Sequence, residues 1–127
     1  MSFKIMDAAI MNGFETLTKL GGYIMLFSMI AALTGHLPIQ NPLLRSTLVG
    51  IIEITNGIQY TTQTALPLKE KYLLCVAFTA FGGLSGLAQT SSMVAESGLP
   101  MKRYLMVKLL LCLLSVTLAG LLYPLFV

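Results

Sequence analysis

Charge is missing from three long stretches of this chain. No Asp, Glu, Lys or Arg occurs from Leu20 to Leu44, from Tyr72 to Ala95, or from Leu109 to Val127. Each stretch is near the ~20 apolar residues with which a helix crosses the hydrocarbon of a bilayer. The composition agrees: 127 residues are 56% hydrophobic and 10% charged, where about 25% charged is usual in a soluble domain. So few charges cannot cover a surface in water. That excludes a soluble enzyme, a nucleic-acid binder and a disordered tail. The 8 basic against 5 acidic residues are too small an excess for a phosphate-binding face, and in an apolar chain they reflect the membrane. The chain reads as an all-α integral membrane protein, one domain over residues 1–127 embedded in the lipid bilayer. The start, Met1 to Asp7, does not read as a signal peptide, because Asp7, Asn12, Glu15 and Lys19 interrupt any apolar core.

Turn signals divide the chain into four helical blocks: about Ile5 to Thr34, Pro42 to Thr64, Lys71 to Glu96 and Met101 to Tyr123. The breakers are Gly35 to Pro38 with Asn41-Pro42, then Pro67, then Gly98-Leu99-Pro100. Short loops make successive blocks antiparallel neighbours. The first block is longer than a single crossing requires. Its first part, residues 1–18, reads as an amphipathic interfacial helix, with 19–127 as the embedded bundle and Gly21-Gly22 as a candidate bend. Glu15 and Lys19 form an i,i+4 pair in the stabilising order. The first two blocks either span or form a re-entrant hairpin.

Two polar stripes stand out. In the second block Glu53, Asn56, Tyr60 and Gln63 recur at helical spacing, with Gly57 beside Asn56. A carboxylate at membrane depth costs about 2.5–3.5 kcal/mol on insertion scales. Glu53 is either a solute or proton site or a hydrogen-bonded clip between helices, and its polar neighbours favour the former. Asn56-Gly57 is either helix glue or a place where the helix unwinds. In the third block Ser85, Gln89, Ser92 and Glu96 follow the run Phe81-Gly82-Gly83-Leu84-Ser85-Gly86. Glycines so dense are costly in a helix interior, about 1 kcal/mol each relative to Ala, and point to a broken helix that offers backbone groups to a ligand. The alternative is close helix packing through small residues. Glu96, beside Gly98, reads as interfacial and within reach of Lys102 or Arg103. Lys69, Lys71, Lys102 and Arg103 read as interface anchors, His36 as a solvated loop residue, and the fourth block as a scaffold span. Cys75 and Cys112 read as small buried hydrophobes. Nothing suggests catalysis, a metal or a cofactor.

Two segments carry a family resemblance. Gly50-Ile51-Ile52-Glu53-Ile54-Thr55-Asn56-Gly57-Ile58-Gln59-Tyr60 and Phe81-Gly82-Gly83-Leu84-Ser85-Gly86-Leu87-Ala88-Gln89-Thr90 resemble the C-terminal half of the YlbJ-like sporulation integral membrane proteins, which carry the nucleoside-recognition or Gate domain. More distantly the chain is similar to concentrative nucleoside transporters. There, one motif ends a helical hairpin and a second unwinds the next helix. Gly50 and Asn56 match the first motif. Gly57 stands where those transporters have a Glu, with Glu53 about one turn earlier as its substitute. Ser85 matches a serine of the second motif, whose Asn is replaced near Gly82 or Gly83. These departures argue against a nucleoside as solute. The resemblance implies a small polar or anionic organic solute, such as an aromatic dicarboxylate, bound by Glu53, Asn56, Gly57, Gln63, Gly82, Gly83, Ser85, Gly86, Gln89 and Ser92, and it implies a bacterial inner membrane, of cell or spore.

Such transporters are built from inverted repeats, and this chain looks like one half. A half needs either a homologous second half or another copy of itself. Lys4, Lys69 and Lys71 fall on one side of the membrane and Lys102, Arg103 and Lys108 on the other, so the positive-inside bias is nearly absent. That parity suits an antiparallel homodimer with dual topology. A structural membrane protein without transport, and a channel, are the competing readings.

Overall fold

The computed structural model describes residues 3–125, apart from the side chain of Glu96; the last two residues of the third uncharged stretch therefore lie outside it, as do the interfacial placement and ion-pair reach expected for Glu96. The described chain is helical throughout: α1 (Phe3–Gly35), α2 (Pro42–Ile52), α3 (Ile54–Gln63), α4 (Leu68–Phe81), α5 (Gly83–Val94), a 3-10 turn (Ala95–Ser97), α6 (Met101–Leu122) and a last 3-10 turn (Tyr123–Leu125). Three segments are long and apolar enough to cross a membrane: Phe3–Gly35, Leu68–Val94 and Met101–Leu125.

The first block is one helix. Its 33 residues continue through Gly21 and Gly22, so neither glycine ends it. At 1.5 Å per residue it is about 50 Å long, against ~30 Å of hydrocarbon. Glu15 and Lys19 make the expected pair at 2.7 Å. Only Ala31 is buried along α1, and its long apolar sides are left exposed.

The second block is two helices rather than one. Asn41 starts α2, its side chain accepting from the Leu43 and Leu44 N–H groups with Pro42 in the first turn, a strong start signal. The chain then reverses at a single extended residue, Glu53 (φ −147°, ψ 128°). The reversal shows in two contacts between α2 and α3. A Cβ on Gly57 would collide with the backbone of Gly50, and Arg45 donates to the Tyr60 hydroxyl at 2.9 Å across the open end. Of the two readings of the first two blocks, a span or a hairpin, the first block is a single helix of spanning length and the hairpin lies inside the second, three residues before Asn56.

The hairpin forms the centre of the molecule. It touches α1, α4 and α5, while α5 also meets α1 and α6 lies along α4. Phe78 of α4 is buried, and its ring occupies the space in which a Cβ on Gly50 would stand. Lys71 donates to the Thr62 carbonyl at 2.9 Å, satisfying a free group at the end of α3. It acts as a helix cap, beyond the anchor role its position suggests.

Candidate functional site

Two helix interruptions meet inside the protein. The first is the tip of the hairpin. The buried Glu53 carboxylate accepts from the Asn56 N–H and from the Asn56 side-chain amide through the same oxygen, each at 2.8 Å. The Asn56 amide also donates to the Ser28 hydroxyl of α1 at 3.0 Å. Glu53 thus caps α3 and, through Asn56, ties the hairpin to α1. No Lys or Arg pairs with it; the ion pair among the described residues is Glu15–Lys19.

The second interruption separates α4 from α5. Gly82 (φ 89°) and Gly83 (φ 65°) are both left-handed, a conformation that costs other residues roughly 1–2 kcal/mol each. This is why the glycines fall here and why the third block breaks where its sequence indicates. Gly83 is buried beneath the hairpin tip: a Cβ there would lie 3.4 Å from the Ile52 carbonyl oxygen and 3.5 Å from that of Ile51. A Cβ would be in ordinary contact with the end of α2, so the left-handed backbone, rather than lack of space, calls for glycine at 83. The N-terminus of α5 has no side-chain cap.

Beside this junction is a cavity of about 460 Å³, lined by Leu20, Ile54, Thr79, Phe81, Gly82, Gly86, Gln89, Thr90, Met93, Tyr104 and Lys108. Its size is within the about 300–1,000 Å³ of small-molecule sites. Lys108 approaches the last turn of α4, with its ammonium 3.5 Å from the Ala80 carbonyl oxygen and 5.9 Å from the centre of the Tyr104 ring. Gln89 donates to the buried Ser85 hydroxyl at 2.9 Å. The hydroxyls of Thr90 and Tyr104 are 3.4 Å apart.

The residues singled out in the sequence are distributed unevenly. Gly82, Gly86 and Gln89 line this cavity, with Ser85 bonded to Gln89 and Gly83 at the junction beneath the hairpin. Glu53, Asn56 and Gly57 form the hairpin tip and its inner contact. Asn56 also lines a separate cavity of about 220 Å³ with His36, Gln59 and Tyr60. Gln63 is exposed at the far end of α3. Ser92 faces Asn12, Glu15, Thr16 and Lys19 of α1 across a third cavity.

Sequence reading overlooked Lys108 and Tyr104. A signal was present: Tyr104, Lys108, Cys112 and Ser115 recur at steps of 4, 4 and 3 in the fourth block, the one read as a scaffold span, and share one helical face. In the structure Lys108 and Cys112 reach the Ala80 and Ala77 carbonyls of α4, and Ser115 shares a cavity with Tyr72, Cys75 and Thr79. Among the described residues no group of His, Cys, Asp and Glu is placed to hold a metal ion.

Comparison with known proteins gives one relation. The chain is 26% identical to the sporulation integral membrane protein YlbJ of Bacillus subtilis (strain 168) over 124 residues, 84% of this chain and 30% of that protein. The chain thus spans about a third of the length of the curated relative it matches. No protein-family model matches it, and no solved structure does. With its three apolar membrane-length helices, this similarity identifies the chain as an integral membrane protein.

Proposed function

We propose that this chain is one half of a membrane carrier for a small polar or anionic organic solute, which binds in the cavity beside the α4–α5 break. The observation that carries the reading is the meeting of two helix interruptions, with Gly83 against the Ile51 and Ile52 carbonyl oxygens at the edge of that cavity. Broken helices at membrane depth are stable only where protein or a water-filled cavity surrounds the freed backbone, and carriers use such breaks to hold solutes. The other half is a second, antiparallel copy or a homologous chain. The membrane is a bacterial inner membrane, of cell or spore. Residues 3–18, the outer part of α1, continue in line with the rest of that helix toward the membrane surface.

The test is uptake into proteoliposomes of labelled small organic acids and their amides, with Gln89→Ala as the site variant. Saturable uptake that falls at least tenfold in Gln89→Ala, with the protein still assembled, supports the carrier. Uptake that never saturates indicates a channel. Uptake no greater than in empty liposomes, for every solute and with each candidate second half, overturns transport.

A structural membrane protein is the competing reading, and one observation favours it for part of the molecule. The polar groups of Glu53, Asn56 and Ser28 are bonded to one another, so that stripe clamps helices. Glu53→Gln with Asn56→Ala should then loosen assembly in either reading, while Gln89→Ala should impair only a carrier.

A further inference from the structure

We infer that the α2–α3 hairpin enters and leaves the bilayer on one face, the face where α1 ends, and carries a water-filled crevice from there to its corner. The solute cavity meets the same corner from the opposite face. Only the word solute rests on the carrier reading; the sidedness does not.

The arms are too short to cross. α2 has 11 residues and α3 has 10, about 15 Å each at 1.5 Å per residue, or half of the ~30 Å of hydrocarbon. Their corner lies at the level of Gly83, where a Cβ would stand 3.4 Å from the Ile52 carbonyl oxygen. Gly83 falls near the middle of the 27-residue span Leu68–Val94. The open end of the hairpin lies where α4 begins, because Lys71 donates to the Thr62 carbonyl. It also lies beside the loop that follows α1, because Arg45 donates to the Leu37 carbonyl. Both ends are thus held at one face and the corner at mid-depth. The start of α1 and the loop 98–100 then share the other face. Lys4 joins Lys102 and Arg103 there, opposite Lys69 and Lys71, which corrects the sides expected from the sequence. The eight Lys and Arg divide five against three, still a weak bias.

Two clefts reach the corner. The solute cavity runs from Ile54 past Gln89 and Met93 of α5, toward the face where α1 begins. The crevice of about 220 Å³ runs from Asn56 past Gln59 and Tyr60 to His36, toward the face where α1 ends. Ile54 and Asn56 are two positions apart, so the corner stands between the clefts. The four polar side chains of the crevice can bond water, and its volume holds several molecules at about 30 Å³ each. The Asn56 amide, bonded to Ser28 at 3.0 Å, pins this partition to α1.

The experiment uses the full chain in sealed proteoliposomes, with Cys75 and Cys112 replaced by serine and a protease-removable tag before Met1. Single cysteines come from His36→Cys, Ala65→Cys, Ser97→Cys, Gln59→Cys and Gln89→Cys. The first three are exposed loop or turn positions, where substitution is well tolerated. Protease and a membrane-impermeant maleimide are added outside. The intact mass of each chain then reads tag loss and label together, so mixed orientations do not blur the result. Label at position 97 should fall on chains that lost the tag, and label at 36 and 65 on chains that kept it. Label at 65 on chains that lost the tag, with label at 36 on chains that kept it, means that the second block crosses, and overturns the hairpin's one-sided entry. Label at 59 should fall on tagged chains and label at 89 on tag-free ones; both on the same chains overturns the opposed clefts. Labelling at 59 more than tenfold slower than at 65 overturns the water-filled crevice. The expected pattern without uptake of any solute overturns the carrier and leaves the hairpin as inferred.

Discussion

At the scale of single residues, the hairpin tip depends on one carboxylate oxygen. Glu53 caps α3 through a bond from the Asn56 N–H at 2.8 Å, and nothing in that geometry requires a charge. Glu53→Gln keeps a carbonyl oxygen that can accept the same bond; Glu53→Ala removes it and leaves a buried N–H unpaired. The alanine variant should lose about 1–2 kcal/mol, the usual cost of removing such a cap, and the glutamine variant clearly less, as read from unfolding in detergent. Equal losses would show that the carboxylate acts through its charge. Gly50 and Gly57 offer a second residue-level comparison. A Cβ on Gly50 meets the Phe78 ring first, whereas one on Gly57 meets backbone first. Each alanine substitution should destabilise by roughly 1–3 kcal/mol through overpacking. Phe78→Leu should restore part of the loss for Gly50→Ala and almost none for Gly57→Ala, because backbone cannot be trimmed.

At the scale of elements, the glycines separate into those that end a helix and those that merely lie in one. Gly82 and Gly83 are left-handed, and alanine at either should cost roughly 1–2 kcal/mol. Gly21 and Gly22 lie inside α1, with open space where a Cβ would be. Alanine at those positions should be neutral or stabilise by up to about 1 kcal/mol, measured as the shift in thermal unfolding of the reconstituted protein. A marked loss at Gly21 or Gly22 would mean that α1 bends there. The same contrast shows what the sequence made legible. The α4–α5 break could be read directly, because two adjacent residues both need the conformation that glycine adopts at least cost. The α2–α3 reversal could not, because Ile52-Glu53-Ile54 holds no Gly or Pro. Its cause is tertiary: Gly50 and Gly57, on either side of Glu53, allow the arms to touch, and a capping side chain starts the second arm. The Glu53, Asn56, Tyr60 and Gln63 stripe starts at that corner and runs along α3 alone: Asn56 and Tyr60 share a cavity, while Glu53 is the cap of α3 and Gln63 is exposed at its far end. Lys108 was hidden by a counting habit. As one charge near Lys102 and Arg103, it passed for part of an interfacial cluster, although it stands further along α6 at the level of the α4 C-terminus.

At the scale of the whole molecule, little of the chain is enclosed. The buried apolar residues among those described are Ala31, Val49, Phe78 and Ala119, while long rows of leucine and methionine on α1 and α6 face outward. Lipid can cover such rows, but the two helix interruptions need protein or water around them. The protein in nanodiscs should therefore have the mass of at least two chains. Reporter fusions at each terminus should show both orientations, as the near-equal charge on the two sides implies. A single orientation would leave a homologous second half as the partner. The turn and the cavity also divide the molecule in their freedom to change. Around Gly50 and Gly57 backbone lies against ring or backbone, and a new side chain would collide, while at Gly83 the left-handed backbone disfavours one. The cavity wall is different: Leu20, Met93 and Tyr104 come from three separate helices, and each can be exchanged without disturbing the corner. On the carrier reading, a lineage built on this fold can thus change its solute by small steps at the wall, while the glycine corner stays fixed.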